Sequence, residues 1–263
     1  MQWQEVSNNW VLIPGRQQGI IHFLGGAFIG STPHLTYRRL LESLASQGFV
    51  IIATTFLNTF DHKDIADTVL RSFEIAVDRL QKRNLILKHL PIYGIGHSMG
   101  CKLQLLIGSL FNIKRSGNIL IAFNNYPAKR SIPLLDQVID QVIDRLSPAL
   151  DLDLNVEFTP TPTETLELIK TYYPTENNLL IKFRKDDLDQ TRDLSAVLND
   201  RFGKSTITLR LPGNHLTPVG QDLQWSPGRS FSPLDAVAQW MRQEMYGDLQ
   251  QLETEMIQWI LEN

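Results

Sequence analysis

Hydrophobic and polar positions follow two alternating patterns along this chain. Residues 49–53 form a continuous apolar run, which is typical of a strand buried on both faces of a sheet. Within residues 61–83 the apolar positions instead recur every three or four residues, as on one face of a helix: Ile65, Val69, Phe73, Val77 and Leu80. Because such strand and helix patterns keep alternating, the chain is predicted to be an α/β protein with a mostly parallel central sheet and helices on both faces.

The same criteria give a provisional map of the elements. Strands are predicted over residues 10–13, 19–24, 49–53, 90–95, 118–123, 178–183 and 205–211. Helices are predicted before Gly48, over residues 61–83, 99–110 and 188–202, and from residue 232 onward with an interruption at Gly247. Residues 212–215 are predicted to form a turn after the last strand.

The alternation breaks between residues 124 and 177, where six prolines interrupt helix-like pieces. We expect one domain over residues 1–263, with residues 124–177 as an insertion within it. In this architecture an insertion after the strand predicted over residues 118–123 commonly forms a lid over the active site. A helical excursion without any gating role is the alternative, and the sequence does not separate the two.

Composition narrows the class of protein. A length of 263 residues, with 43% hydrophobic and 20% charged residues, suits one large globular domain. The net charge of −3, with scattered basic residues, argues against a nucleic-acid partner and a polybasic membrane surface. No signal peptide or bilayer-spanning run is visible, so we expect a cytoplasmic protein whose membrane contact, if any, is peripheral. The single cysteine, Cys101, excludes an internal disulfide and fits a small buried residue.

The most informative motif is G-x-S-x-G, formed by Gly96, Ser98 and Gly100 between a predicted strand and a predicted helix. A nucleophilic serine must stand exposed on a sharp, strained turn, and the two glycines remove side chains that would collide there. The pattern predicts a nucleophile elbow with Ser98 as the nucleophile. The alternative is a glycine-containing turn with an incidental serine.

An activated serine needs a base, and the base needs a group to orient it. In α/β proteins with a nucleophile elbow, the catalytic residues follow one another along the chain in the order serine, acid, histidine. His215 is the only one of the six histidines that lies after the elbow. We therefore predict His215 as the general base. The acid should follow the strand that ends near residue 183, and we predict Asp186 for this role. Asp187 and Asp189 are the alternatives, since either could instead cap or open the next helix.

Backbone N–H groups must also stabilise the negative charge that develops on the substrate oxygen. One predicted donor is the N–H of Met99, directly after the nucleophile. The other is the N–H of Ala27, with Gly26 as its neighbour, in a glycine-rich loop after an early strand. No cofactor and no metal ion is required by this chemistry.

Several strings resemble an uncharacterised α/β-hydrolase-like family of cyanobacteria and plant plastids, domain-of-unknown-function family 1350. They are HFLGGAFIG (22–30), LTY (35–37), GIGHSMG (94–100), RSGN (115–118), AFNN (122–125) and LPGNHLTP (211–218). The resemblance spans nearly the whole chain and implies an α/β-hydrolase fold and a photosynthetic lineage. It implies no substrate.

The sequence thus predicts a serine hydrolase that cleaves an ester or thioester of a small-molecule acyl substrate. The insertion offers apolar residues that could shape an acyl pocket or simply bury the insertion: Leu134, Leu135, Val138, Val142, Leu146, Val156 and Phe158. Two alternatives stay open, namely acyl transfer by the same residues and a non-catalytic binding or assembly protein on a hydrolase scaffold. A pocket filled by Phe28 or Trp225 would favour the non-catalytic alternative. Protein partners are not indicated.

Overall fold

The computed structural model describes residues 1–27, 29–128, 157–219 and 233–263. Its centre is a sheet of eight strands in the order β1-β2-β4-β3-β5-β6-β7-β8. The strands are β1 (Gln4–Val6), β2 (Asn9–Leu12), β3 (Gly19–Leu24), β4 (Phe49–Thr54), β5 (Ile92–His97), β6 (Gly117–Ile121), β7 (Asn178–Lys185) and β8 (Thr206–Asn214). The α-helices are α1 (Pro33–Thr36), α2 (Arg38–Ser46), α3 (His62–Lys82), α4 (Met99–Phe111), α5 (Pro162–Tyr172), α6 (Thr191–Phe202) and α7 (Pro233–Glu262), with short 3₁₀ turns at Ile29–Ser31 and Gly203–Ser205.

Strands β3 to β8 are parallel, whereas β1 and β2 join one end of the sheet antiparallel. After β3 the chain places β4 on one side of it and β5 on the other, so the strand order reverses at β3. In open α/β sheets the carboxyl ends of the strands at such a reversal form a crevice. The loop after β3 and the loop after β5 meet at this crevice, and they contain Gly26 and Ser98.

Helices cover both faces of the sheet, which confirms the predicted arrangement. On one face, α2 and the C-terminal part of α7 pack against the strands, and Leu41 and Trp259 belong to that core. On the other face, α3 and α4 form one apolar cluster, and α4, α5 and α6 form another. The sheet is therefore buried on both sides, as the continuous apolar run of β4 predicts.

The structure differs from the predicted elements at three points. Strand β1 lacks a long apolar run and was not predicted. Strand β8 continues through Pro212 and Gly213 to Asn214, where a turn was predicted, because β7 is long enough to pair with it across a register shift. Pro212 is tolerated there because β8 is the last strand of the sheet, where a missing N–H can face away from the neighbour. Helix α7 runs through Gly247 without interruption.

The predicted insertion is described only in part. Its first residues and the stretch from residue 157 are described, and the latter includes α5, which begins at a capping box formed by Thr161 and Glu164. Of the apolar residues assigned to an acyl pocket, Phe158 is described, and its ring stacks on His62 at 4.3 Å. The others lie outside the described residues, as do Phe28 and Trp225. The lid role stays a prediction.

Candidate active site

Ser98 lies between β5 and α4 in a backbone conformation that L-residues rarely adopt, with φ 55° and ψ −118°. Its N–H donates to the carbonyl of Ile121 in the neighbouring strand β6 at 2.9 Å. The turn is therefore held from the adjacent strand, and it presents the serine side chain at the carboxyl end of the sheet. This is the geometry that the G-x-S-x-G motif predicts.

The two glycines of the motif are required by close approach of the backbone. A Cβ at Gly96 would lie 2.5 Å from the amide nitrogen of Cys101, inside the first turn of α4. A Cβ at Gly100 would collide with the carbonyl oxygen of Leu24 and lie 2.7 Å from that of Gly25. The elbow helix thus packs directly against the end of β3, and only glycine fits at either position.

Ser98, His215 and Asp186 form a continuous series of hydrogen bonds. Ser98 Oγ lies 3.0 Å from His215 Nε2, and His215 Nδ1 lies 2.9 Å from Asp186 Oδ2. The Asp186 carboxylate is fully buried, and its other oxygen accepts the N–H of Leu188 at 2.9 Å. His215 is the first residue after β8 and Asp186 the first after β7, so adjacent parallel strands deliver both side chains to the same edge.

The two alternative carboxylates are directed elsewhere. Asp187 is exposed to solvent. Asp189 accepts a hydrogen bond from Lys182 Nζ at 3.0 Å and from the N–H and hydroxyl of Thr191 at 2.9 and 2.8 Å. Asp189 therefore accepts the N–H of the first residue of α6 and pairs with a lysine of β7. Of the three candidates, Asp186 is the one that contacts the histidine.

The predicted oxyanion donors receive unequal support. Among the residues that the structure describes, no acceptor is hydrogen-bonded to the N–H of Met99 or of Ala27. The N–H of Gly26, the neighbour of Ala27, already donates to the hydroxyl of Tyr37 at 2.9 Å. A Cβ at Gly26 would lie 3.4 Å from both Ser98 Cβ and His97 Nδ1, which is an ordinary contact distance, so Gly26 packs directly against the nucleophile without requiring glycine for space.

The sequence indicated no hydrogen-bonding role for two polar residues beside the site, His97, which was interpreted as a packing residue of the elbow, and Tyr37. His97, within the motif itself, lies 2.8 Å from the Tyr37 hydroxyl through Nδ1 and 2.9 Å from the His215 carbonyl through Nε2. Both side chains are completely buried. The position of His97 in the elbow was a usable signal, whereas nothing local marks Tyr37, whose partners lie 11 and 60 residues away.

Cys101 is buried as expected, and its thiol lies 3.1 Å from the Gly96 carbonyl and 3.2 Å from that of Ile121. Burial raises the pKa of this thiol well above its usual value, although the hydrogen bond with Ile121 opposes the shift. Among the residues that the structure describes, no group of three or more His, Cys, Asp or Glu side chains is placed to hold a metal ion. Within the same residues, no helix has both the length and the apolar character to cross a bilayer.

Solved structures with the same architecture include several hydrolases. Est1E from Butyrivibrio proteoclasticus is 14% identical with a TM-score of 0.53, covering 96% of this chain and 94% of its own. Carboxyl esterase 2 from the mycorrhizal fungus Tuber melanosporum is 16% identical with a TM-score of 0.53, covering 92% and 82%. A thioesterase domain from the curacin biosynthetic pathway is 16% identical with a TM-score of 0.50, covering 83% and 94%. At these identities the similarity shows the fold alone, and it confirms the α/β-hydrolase fold.

Sequence comparison identifies the family of this chain. No curated protein matches this sequence significantly. A family model described as a protein of unknown function, DUF1350, matches residues 2–262. This chain therefore belongs to the DUF1350 family.

Proposed function

We propose that this protein is a serine hydrolase that cleaves a carboxylic ester or thioester through an acyl-enzyme on Ser98. The observation that carries the proposal is the pair of hydrogen bonds from Ser98 Oγ to His215 and from His215 to Asp186, at 3.0 and 2.9 Å. A nucleophile, a base and an orienting acid within hydrogen-bond reach are the requirements for activating a serine hydroxyl.

The proposed reaction starts with Ser98 Oγ attacking the acyl carbon while His215 Nε2 takes the hydroxyl proton. His215 Nδ1 carries a proton that is donated to Asp186, which keeps Nε2 unprotonated and ready to accept. When the tetrahedral intermediate collapses, the bond to the leaving alcohol or thiol breaks and Nε2 returns the proton to that group. Water then attacks the acyl-enzyme by the same route, which releases the acid and restores the Ser98 hydroxyl.

The oxyanion is assigned to the N–H groups of Met99 and Ala27. Both amides lack a partner among the described residues, and Met99 opens α4, whose N-terminus favours negative charge. Loss of one such donor costs about 100- to 1,000-fold in rate in related chemistry. Both donors are backbone N–H groups, so no side-chain substitution removes either of them. The oxyanion hole is therefore tested through the residues that position its loops.

The proposed substrate is an acyl ester or an acyl thioester. The structural neighbours include a carboxyl esterase and a thioesterase domain, which is compatible with either leaving group. The apolar residues of the insertion favour an apolar acyl chain. Acyl transfer to an alcohol or thiol would use the same residues, and competition between such acceptors and water distinguishes the two outcomes.

The test is covalent labelling with a fluorophosphonate probe, read by intact-protein mass. Wild type should gain one adduct and Ser98→Ala none. Ser46→Ala is a matched control, because Ser46 is exposed on α2 and should leave labelling unchanged. If wild type with a folded circular dichroism spectrum gains no adduct, the hydrolase proposal is wrong. The protein is then a non-catalytic binding protein on this scaffold.

A further inference from the structure

His97 is fully buried between Gly96 and Ser98, yet both of its ring nitrogens are hydrogen-bonded to groups from other parts of the chain. Nε2 lies 2.9 Å from the carbonyl oxygen of His215, in the loop after β8. Nδ1 lies 2.8 Å from the hydroxyl of Tyr37, and that hydroxyl also accepts the N–H of Gly26, in the loop after β3. One imidazole therefore links the loop of the general base with the loop of the oxyanion donor.

The direction of every hydrogen bond in this link follows from chemistry. A carbonyl oxygen can only accept, so the proton of neutral His97 is on Nε2 and is donated to His215. Nδ1 is then an acceptor, which requires the Tyr37 hydroxyl to donate to it. The Tyr37 oxygen in turn accepts from Gly26. Every group in the link thus has one possible role, and reversing a single bond would leave a buried polar atom unpaired.

The link stays in one protonation state over the working range of an enzyme. Burial, with a smaller effect of nearby His215, lowers the pKa of His97 to about 3. Burial raises the pKa of the Tyr37 hydroxyl. Both groups are therefore neutral near pH 7, so the link is not a proton relay. What it provides is a rigid spacer, since an imidazole ring has no internal torsion.

The spacer acts where small displacements are costly. His215 must hold Nε2 3.0 Å from Ser98 Oγ, and Ala27, directly after Gly26, is assigned the second oxyanion donor. The His97 and His215 rings are 5.1 Å apart between centroids, so the His97 ring also packs against the base itself. A shift of about 1 Å in such groups can cost about 100-fold in rate.

We propose that His97 is a positioning residue that holds the general base His215 and the oxyanion loop in register without contacting substrate. The inference rests on the proposed hydrolase function and goes beyond it, because a hydrolase could position these loops independently. It predicts that polar substitutions at His97 are graded by which of the two hydrogen bonds they retain.

The test compares three variants by kcat and KM for p-nitrophenyl butyrate. Turnover is expressed per site that labels with fluorophosphonate, so that misfolded protein does not count. His97→Leu removes both bonds and should lower kcat about 100-fold with KM within about three-fold of wild type. In His97→Gln the amide nitrogen reaches the former Nε2 position and can still donate to His215, so it should recover at least about ten-fold of that loss. Tyr37→Phe removes the hydroxyl and with it the bonds to His97 Nδ1 and from the Gly26 N–H, but keeps the bond from His97 to His215. It should lower kcat about ten-fold.

A merely structural role would lower the melting temperature and the labelled fraction but leave kcat per labelled site unchanged. A His97→Leu enzyme within three-fold of wild type in kcat would overturn the inference, as would a His97→Gln enzyme as slow as His97→Leu.

If His97→Leu does not fold, Tyr37→Phe is the deciding variant, and a wild-type kcat in Tyr37→Phe overturns the inference. An inert wild type would instead show that the hydrolase proposal itself, and the inference with it, is wrong. His89→Gln, at an exposed histidine, is the control and should match wild type.

Discussion

Asp186 and Asp189 are three residues apart and both carboxylates are fully buried, yet only Asp186 faces His215. Asp189 pairs with Lys182 Nζ at 3.0 Å, whereas Asp186 pairs with His215 Nδ1 at 2.9 Å. Burial therefore does not distinguish a carboxylate that orients the general base from one in a structural ion pair. The residue to which the carboxylate is hydrogen-bonded distinguishes them.

Replacing Asp186 by Asn is expected to lower kcat by about 10⁴-fold with the geometry of the site retained, as the equivalent change does in a serine protease. An amide facing Nδ1 can donate, which favours the tautomer with the proton on Nε2, and that nitrogen can then no longer accept the Ser98 proton. Steady-state kinetics on a p-nitrophenyl ester measures the loss.

Asp187→Asn and Asp189→Asn are the matched controls. Asp187 is exposed, so activity should stay within two-fold of wild type. Asp189→Asn should destabilise the fold by about 1–3 kcal/mol, because Lys182 and Thr191 lose a charged acceptor, while kcat of the folded enzyme is retained. An equal, small loss of activity in all three variants would place the acid elsewhere.

Lys102, one turn after the nucleophile in α4, is a buried cation whose Nζ donates to the carbonyl of Pro160 at 3.1 Å. Burial lowers its pKa to about 7, although Glu157 and Glu164 oppose the shift. Unfolded lysine has its usual pKa of about 10.4, so between these values the unfolded state binds more protons. The contribution of Lys102 to stability therefore rises with pH from about 7 toward 10.

Lys102→Met should consequently be more stable than wild type by at least about 1 kcal/mol at pH 6, with an advantage that shrinks as pH rises above 7. The Pro160 carbonyl keeps a long hydrogen bond from Thr165 Oγ1 at 3.5 Å in that variant. Urea unfolding at pH 6, 7, 8 and 9 measures the difference. Lys88→Met, at an exposed lysine, should show no such trend, and a difference for Lys102→Met that is constant with pH would contradict the assignment.

Cys101 should not react with Ellman's reagent in the folded protein. Its thiol is fully buried, bonded to carbonyl oxygens, and kept protonated by a raised pKa, whereas the thiolate is the reacting species. One equivalent should react in 6 M guanidinium chloride, since the chain has a single cysteine. Stoichiometric reaction within minutes under native conditions would show that the elbow helix opens readily.

Alanine at two glycines should have effects of opposite sign on stability. A Cβ at Gly94 in β5 would collide with Asn118 Oδ1 and lie 2.8 Å from Gln104 Oε1, so Gly94→Ala should cost about 1–3 kcal/mol. A Cβ at Gly247 meets nothing within 4 Å, so Gly247→Ala should stabilise α7 by about 0.5–1 kcal/mol. Thermal unfolding of the pair checks both, and a destabilised Gly247→Ala would mean that α7 is not helical there.

The elements that could be predicted were those with a strong local pattern. The apolar run of β4 and the periodicity of α3 gave their bounds to within one residue. The extension of β8 through Asn214 and the continuity of α7 at Gly247 could not be predicted. Both depend on tertiary context: β8 is extended by pairing with β7, and α7 is helical because it packs on the core.

The candidate site divides in the same way. Ser98 and His215 could be named from a motif and from chain order. Asp186 was the first choice from its position after β7, but Asp187 and Asp189 stayed open, because the three are distinguished only by their partners in the fold. The link through His97 and Tyr37 joins residues far apart in sequence, so no local pattern could reveal it.

The packing of α7 has a consequence for how the chain is made. Leu252 and Trp259 complete the core under strands that are synthesised much earlier, and Trp259 lies so close to Gly117 in β6 that a Cβ there would be 2.6 Å from the indole ring. Because translation proceeds from the N-terminus, the part of this face that α2 does not cover stays open until the end of α7 has been made. A nascent chain carrying β3 to β8 therefore exposes apolar surface at that part of the sheet, which makes it prone to aggregation before α7 docks.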